Sequence, residues 1–141
     1  MTVMNDTTWV WQYDQRIPSD PDAGVEAIRT MLDELERHAW NSKSMFGIHM
    51  AMEEAVMNAI KHGNQRDPSK HVHIVVNLAA DKFYAQITDQ GAGFNPTDVP
   101  DPTLDENLEK CSGRGLMLMN NYVDKVIYNK VGNSVELFKD K

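Results

Sequence analysis

The chain has 141 residues, a formal net charge of −7, 41% hydrophobic and 25% charged residues, and one cysteine. That length suits a single domain, read here as 1-141, burying roughly two-thirds of its unfolded surface; the acidic balance argues against direct nucleic-acid binding, which calls for a basic face. The lone Cys111 excludes an internal disulfide framework, no apolar run reaches the roughly 18–20 residues of a membrane span, and the polar, aromatic stretch Met1 to Tyr13 lacks the apolar core of a secretory signal, so the expected location is cytoplasmic.

Trp9, Trp11 and Tyr13 alternate with Val10, Gln12 and Asp14, the period of a strand with one apolar face, and Pro18 closes it. Asp20 followed by Pro21 reads as an N-cap and first helical residue. Val25, Ile28, Leu32, Leu35 and Ala39 then recur at helical steps, predicting an amphipathic helix of about 18 residues. A second helix is capped around Asn41 and Ser42 and runs to Gly63, a natural C-terminal stop. Val72, Ile74, Val76 and Leu78 share one face of a strand, Phe83, Ala85 and Ile87 one face of the next, and Asp81-Lys82 suits a hairpin turn between them. Residues from Gly91 to about Cys111 carry Pro96, Pro100 and Pro102 among many acids, a connection long enough to be a functional lid. Gly113 to Tyr122 reads as a helix with Leu116, Met119 and Val123 inward, followed by strands Lys125–Asn129 and Ser134–Phe138 joined at Val131-Gly132-Asn133. This order predicts an α+β fold, a two-layer α/β sandwich with helices on one face of a mostly antiparallel sheet.

Three stretches carry chemistry. On the second helix, Glu54, Asn58 and Lys61 fall within about 60° of one another, a polar stripe apart from the buried side of Ile48, Met52, Ala55, Val56 and Ala59. Asn58 offers a neutral oxygen to a hard cation such as Mg²⁺, and Glu54, one turn earlier, is placed to accept a proton from a hydroxyl or water. A solvated face with an i,i+4 polar pair fits the same segment. Asp89 shares the parity of Phe83, Ala85 and Ile87, which turns its carboxylate toward the apolar side of the sheet, where it needs a donor such as an adenine amino group. Gly91 and Gly93 let the backbone turn tightly near a ligand, although a strand-ending Asp with a glycine turn is also common. Ser112-Gly113-Arg114-Gly115-Leu116 opens a predicted helix whose free N–H groups favour phosphate; a capped helix with a glycine entry reads equally from those residues alone. Together the stretches describe a magnesium-nucleotide pocket, without the P-loop or the H-R-D loop of other ATP sites. His71 and His73 share a strand face with no third ligand evident, which reads as a surface pair.

In this order the motifs resemble those of the GHKL ATPase superfamily, which includes gyrase, heat-shock chaperone, histidine kinase and mismatch-repair ATPases. More narrowly, the chain is similar to the bacterial anti-sigma factor serine kinases. Glu54 to Gly63 resembles the N box, Asp89 to Phe94 the first glycine box, and Gly113-Arg114-Gly115-Leu116 the second. The resemblance spans about Trp9 to Phe138. It implies a GHKL-type sandwich with ATP beneath a lid, Glu54 as general base, Asn58 as magnesium ligand and Asp89 as adenine anchor. It also implies phosphorylation of a serine on a STAS-domain anti-anti-sigma protein, an alternative complex with a sigma factor, and a homodimer. Two positions depart from the pattern: Cys111 stands where some members carry Arg, and Asn133, followed by Ser134, stands where Thr is frequent. The expected function is an ATP-dependent protein serine kinase acting as a partner switch. The alternative is a catalytically silent ATP-binding module that gates partner binding.

Overall fold

A computed structural model describes residues 8–91, 122–129 and 133–141. Strict alternation in the sequence becomes strict alternation in burial. Strand β2 (His71–Leu78) buries Val72, Ile74, Val76 and Leu78, and strand β3 (Lys82–Thr88) buries Phe83, Ala85 and Ile87. The two pair antiparallel from Leu78 opposite Phe83 to His73 opposite Thr88, so these seven buried residues point to one face. Strand β1 (Trp11–Pro18) joins the free edge of β2, with Ile17 opposite Val72. Trp9 lies outside it, although the Val10 amide still donates to the Leu78 carbonyl. Strands β4 (Lys125–Tyr128) and β5 (Ser134–Asp140) pair with each other, and β5 also pairs with β3. The described sheet is five-stranded and antiparallel, in the order β1-β2-β3-β5-β4.

Both helices pack on the apolar face. Helix α1 (Pro21–Arg37) starts as the sequence predicts, with the Asp20 side chain accepting from the Asp22 amide and Pro21 in the first turn. Its inward stripe keeps the predicted Ile28 and Leu35 but is completed by Gly24, Ala27 and Met31 rather than by Val25. Val25 is 46% exposed, while Gly24, Ala27, Ile28, Met31 and Leu35 are buried. The reason lies in the helix–helix contact: a Cβ on Gly24 would stand 3.0 Å from Val56 and 3.1 Å from Ile60. A side chain there would press on both, so glycine suits the contact, and Val25 is left outside. Ala39 also departs from expectation, because α1 ends before it. The Ala39 amide donates to the Glu36 carbonyl and the Trp40 amide to the Leu35 carbonyl, a Schellman closure with Ala39 at φ 62°. Buried Leu35 and Trp40 supply the apolar contact that accompanies this motif.

Helix α2 (Ser42–Asn58) is capped by Asn41, whose side chain accepts from the Ser44 amide at 2.8 Å. It continues as a π-helical turn over Ala59–Gly63, closed by the Asn64 amide donating to the Ala59 carbonyl at 2.8 Å. Ile48, Met52 and Val56 of α2 meet Ile28, Met31 and Leu35 of α1 above the sheet in one core, which also takes in Val123. The predicted lid and the remainder of the Gly113–Tyr122 helix lie outside the described residues. No helix among the described residues is long and apolar enough to cross a membrane.

Candidate functional site

Two walls meet where α2 ends against the end of β3. The first is helical. Glu53 is exposed, but Glu54 and Asn58 are each half-buried at the edge of the stripe that buries Ala55 and Val56. A freely solvated face would leave them as open as Glu53. Lys61 is exposed in the π turn, whose wider winding advances each residue by less than the 100° assumed for a continuous α-helix, so it does not continue the line of Glu54 and Asn58. Tyr128, at the end of β4, shares the parity of Val126 and faces the helical layer. Burial pushes its phenol upward, and the negative charge of Glu54 pushes it further the same way. A neutral hydroxyl is therefore maintained near the candidate base.

The second wall is the end of β3. Asp89 follows the strand with the inward parity of Ile87 and is half-buried. Its backbone is pinned on both sides by Asn133: the Asp89 amide donates to the Asn133 carbonyl at 2.9 Å, and the Asn133 side chain donates to the Asp89 carbonyl at 3.2 Å. Its carboxylate accepts from the Gly91 amide through Oδ1 at 2.8 Å. Burial raises the carboxyl above the ordinary aspartate range, opposed by that amide and by the charge of Lys70. Such a group is an acceptor held in a partly desolvated place, suited to a ligand donor.

The walls touch through two glycines. A Cβ on Gly63 would overlap the Asp89 carboxylate, and a Cβ on Gly91 would overlap the Gly63 carbonyl. Gly63 was expected as a helix stop, and it is the last residue of the π turn. It has no left-handed backbone, so what requires glycine there is the approach of Asp89. Gly91 likewise serves a close approach, with Gly63 as the neighbour it must admit. This juxtaposition brings the N-box-like segment and Asp89 together. Gly93, Ser112, Gly113, Arg114, Gly115 and Leu116 lie outside the described residues, as does Cys111.

Sequence reasoning missed three contributors. Tyr128 was read only as a strand residue. Asn133 was noted as a departure, but its side chain proves to be engaged: its Oδ1 accepts from Asn129 at 2.7 Å while its Nδ2 reaches Asp89. Asn64, directly after the helix stop expected at Gly63, carries no assigned role in the sequence, yet it is completely buried. Its position directly after Gly63 carried no pattern that distinguishes a buried amide from an exposed one.

An antiparallel sheet with two helices on one face, and a helix-borne Glu–Asn pair beside a strand-end Asp, define an α/β sandwich of the GHKL ATPase type. The chain matches the histidine kinase-like ATPase domain over residues 17–139, and it belongs to that family. Over 98 residues it is 41% identical to an anti-sigma F factor of Anoxybacillus flavithermus, covering 65% of this chain and 66% of that protein. It is 24% identical over 96 residues to the serine/threonine-protein kinase BtrW of Bordetella bronchiseptica, covering 67% and 68%. The match thus spans just under two thirds of the first relative's length. A crystal structure of the RsbU and RsbW domains of a Mycobacterium tuberculosis protein superposes with a TM-score of 0.63 at 14% identity, covering 93% of this chain and 32% of that one. That likeness bears out the fold.

Proposed function

We propose that the protein is an ATP-dependent protein serine kinase that works as a partner-switching, anti-sigma-type regulator in the cytoplasm. The observation that carries this reading is the packing of Gly63 and Gly91 around Asp89, which sets a half-buried carboxylate at the end of the helix bearing Glu54 and Asn58. The kinase and anti-sigma names of its relatives support the same reading.

The residues fit the substrate. Asp89 keeps carboxylate acceptor capacity beyond the Gly91 amide, which suits an adenine amino group. The phosphates would extend toward Asn58, with Gly93 and Ser112 to Leu116 as their proposed cradle and Lys61 and Arg114 as added positive charge. Among the described residues no cluster of three or more His, Cys, Asp or Glu is present, so a magnesium ion at Asn58 would depend on phosphate oxygens and water for its other ligands. When bound, such an ion neutralises charge on the phosphate chain.

Glu54 is then the general base. It takes the proton from the serine hydroxyl of a STAS-domain anti-anti-sigma protein as the serine oxygen bonds to the γ-phosphorus. The bond from that phosphorus to the bridging oxygen breaks, and ADP leaves. Positioning and charge stabilisation supply most of the catalysis. Tyr128, kept neutral, leaves Glu54 as the proton acceptor. A sigma factor occupies the alternative complex, and the working form is a homodimer.

The test is transfer of label from γ-labelled ATP to a STAS-domain protein from the same cell, followed by mapping of the modified residue. Phosphoserine on the partner is the expected result. Retained ATP binding without transfer to any such partner would select the catalytically silent regulatory module instead.

A further inference from the structure

We infer that Asn64 is a positioning residue for nucleotide binding, holding Asp89 at the end of the π turn through a closed hydrogen-bond circuit. The inference rests on the reading of Asp89 as nucleotide anchor. Asn64 touches three separate parts of the chain. Its Nδ2 donates to Ser19 Oγ at 2.9 Å, in the link between β1 and α1, and to the His71 carbonyl at 2.9 Å, at the start of β2. Its Oδ1 accepts from the Gln90 amide at 2.7 Å, directly after Asp89. The circuit closes because the His71 amide donates to Gln90 Oε1 at 2.7 Å, and Ser19 Oγ in turn donates to the Lys70 carbonyl at 2.9 Å.

Both amide hydrogens of Asn64 are therefore committed, and its oxygen holds the one backbone amide that lies between Asp89 and Gly91. Aspartate lacks the two donors, serine and alanine the reach, and leucine every polar atom; asparagine meets all three demands at once. A buried amide with no spare donor belongs to one arrangement of its neighbours, since any displacement leaves polar groups unpaired. The position of that arrangement matters. Asn64 follows Gly63, against which the Asp89 carboxylate packs, and its own backbone amide closes the π turn on Ala59. One residue thus fixes the helical wall and the strand wall to each other. It does so without a side chain of its own entering the site.

The test is calorimetric titration with a nonhydrolysable Mg-ATP analogue of the full chain and of Asn64→Ala, alone and combined with Asp89→Asn. Leu35→Ala serves as a control for general destabilisation, because it lies at the far end of α1 from the Gly24 contact with α2. Asn64→Ala is expected to weaken binding on the order of ten-fold. In the Asp89→Asn background the same change should cost less than about three-fold, because the group it places is already altered. Leu35→Ala should stay within about two-fold of wild type while folded. Should Asn64→Ala fail to fold, Ser19→Ala removes one of the three partners of Asn64, together with the bond from Ser19 to Lys70, and must show the same dependence on Asp89, with a smaller loss. An equal loss in both backgrounds, or one no larger than that of the Leu35 control, overturns the inference. Failure of the wild-type chain to bind the analogue strikes first at the nucleotide reading, and is distinguished by that.

Discussion

The strand wall and the helix wall of the site are built differently. Around Asp89 nearly every polar group is engaged: Asn133 holds its backbone from one side, Asn64 holds the next residue, and Gly91 bonds its carboxylate. Glu54 and Asn58 project half-buried from a single helix one turn apart, and the charge of Glu54 acts on the Tyr128 hydroxyl. The first arrangement suits recognition of a rigid planar group, where a displaced acceptor loses affinity. The second suits groups that meet a metal, phosphate and a partner's hydroxyl only when all are assembled. In the proposed function, binding and chemistry therefore fall to different walls.

The sharpest way to break that division is Glu54→Ala. It should lower phosphoryl-transfer turnover by on the order of 10²–10⁴ while leaving affinity for ATP nearly unchanged. Label transfer at the wild-type rate would remove Glu54 from the chemistry. Asp89→Asn should do the reverse, weakening ATP binding by about 1.5–3 kcal/mol in calorimetry. The same variant has a signature without ligand. Because burial raises the folded-state pKa of Asp89, the native state holds its proton over a window in which the unfolded state has released it, so its contribution to stability declines as pH rises through that window. Relative to wild type, unliganded Asp89→Asn should therefore gain stability as pH rises above the ordinary aspartate range, measured by urea unfolding. A parallel pair of stability curves would mean that Asp89 is not held in the desolvated place assigned to it.

Gly63→Ala probes the junction itself. The added methyl collides with the Asp89 carboxylate, and a cost of about 1–3 kcal/mol in stability is expected, together with weaker ATP binding. Normal affinity with lowered stability would show that the junction can shift without moving the anchor. The smallest effect lies away from both walls. Ala39→Gly relieves a left-handed backbone at the end of α1 and should stabilise the fold by about 0.5–1 kcal/mol, with transfer activity unchanged. A loss of stability on thermal unfolding would refute that reading of the helix end.

Much of this was legible in the sequence because it rests on period. The β2–β3 hairpin, the caps at Asp20 and Asn41, and the inward parity of Asp89 follow from spacing and local chemistry. Other features depend on neighbours distant in the chain. Val25 was placed inward by its spacing, but the closeness of α2 at Gly24 turns it out. Gly63 has the look of a helix stop, whereas the need for glycine comes from Asp89. Asn64 has the composition of a loop, and only the convergence of Ser19, His71 and Gln90 makes it a buried tie. Tyr128 becomes relevant to Glu54 only through the sheet order that brings β4 beside β5.

The central claim, that the two walls enclose one nucleotide, is tested most directly by following backbone amide resonances during titration with a nonhydrolysable Mg-ATP analogue. Saturable shifts should concentrate at Asn58, Asn64, Asp89, Gly91 and Asn133, which belong to both walls. Saturable binding with shifts confined to the opposite sheet face, at residues such as His73 and Gln86, would contradict the account, and so would no binding at all.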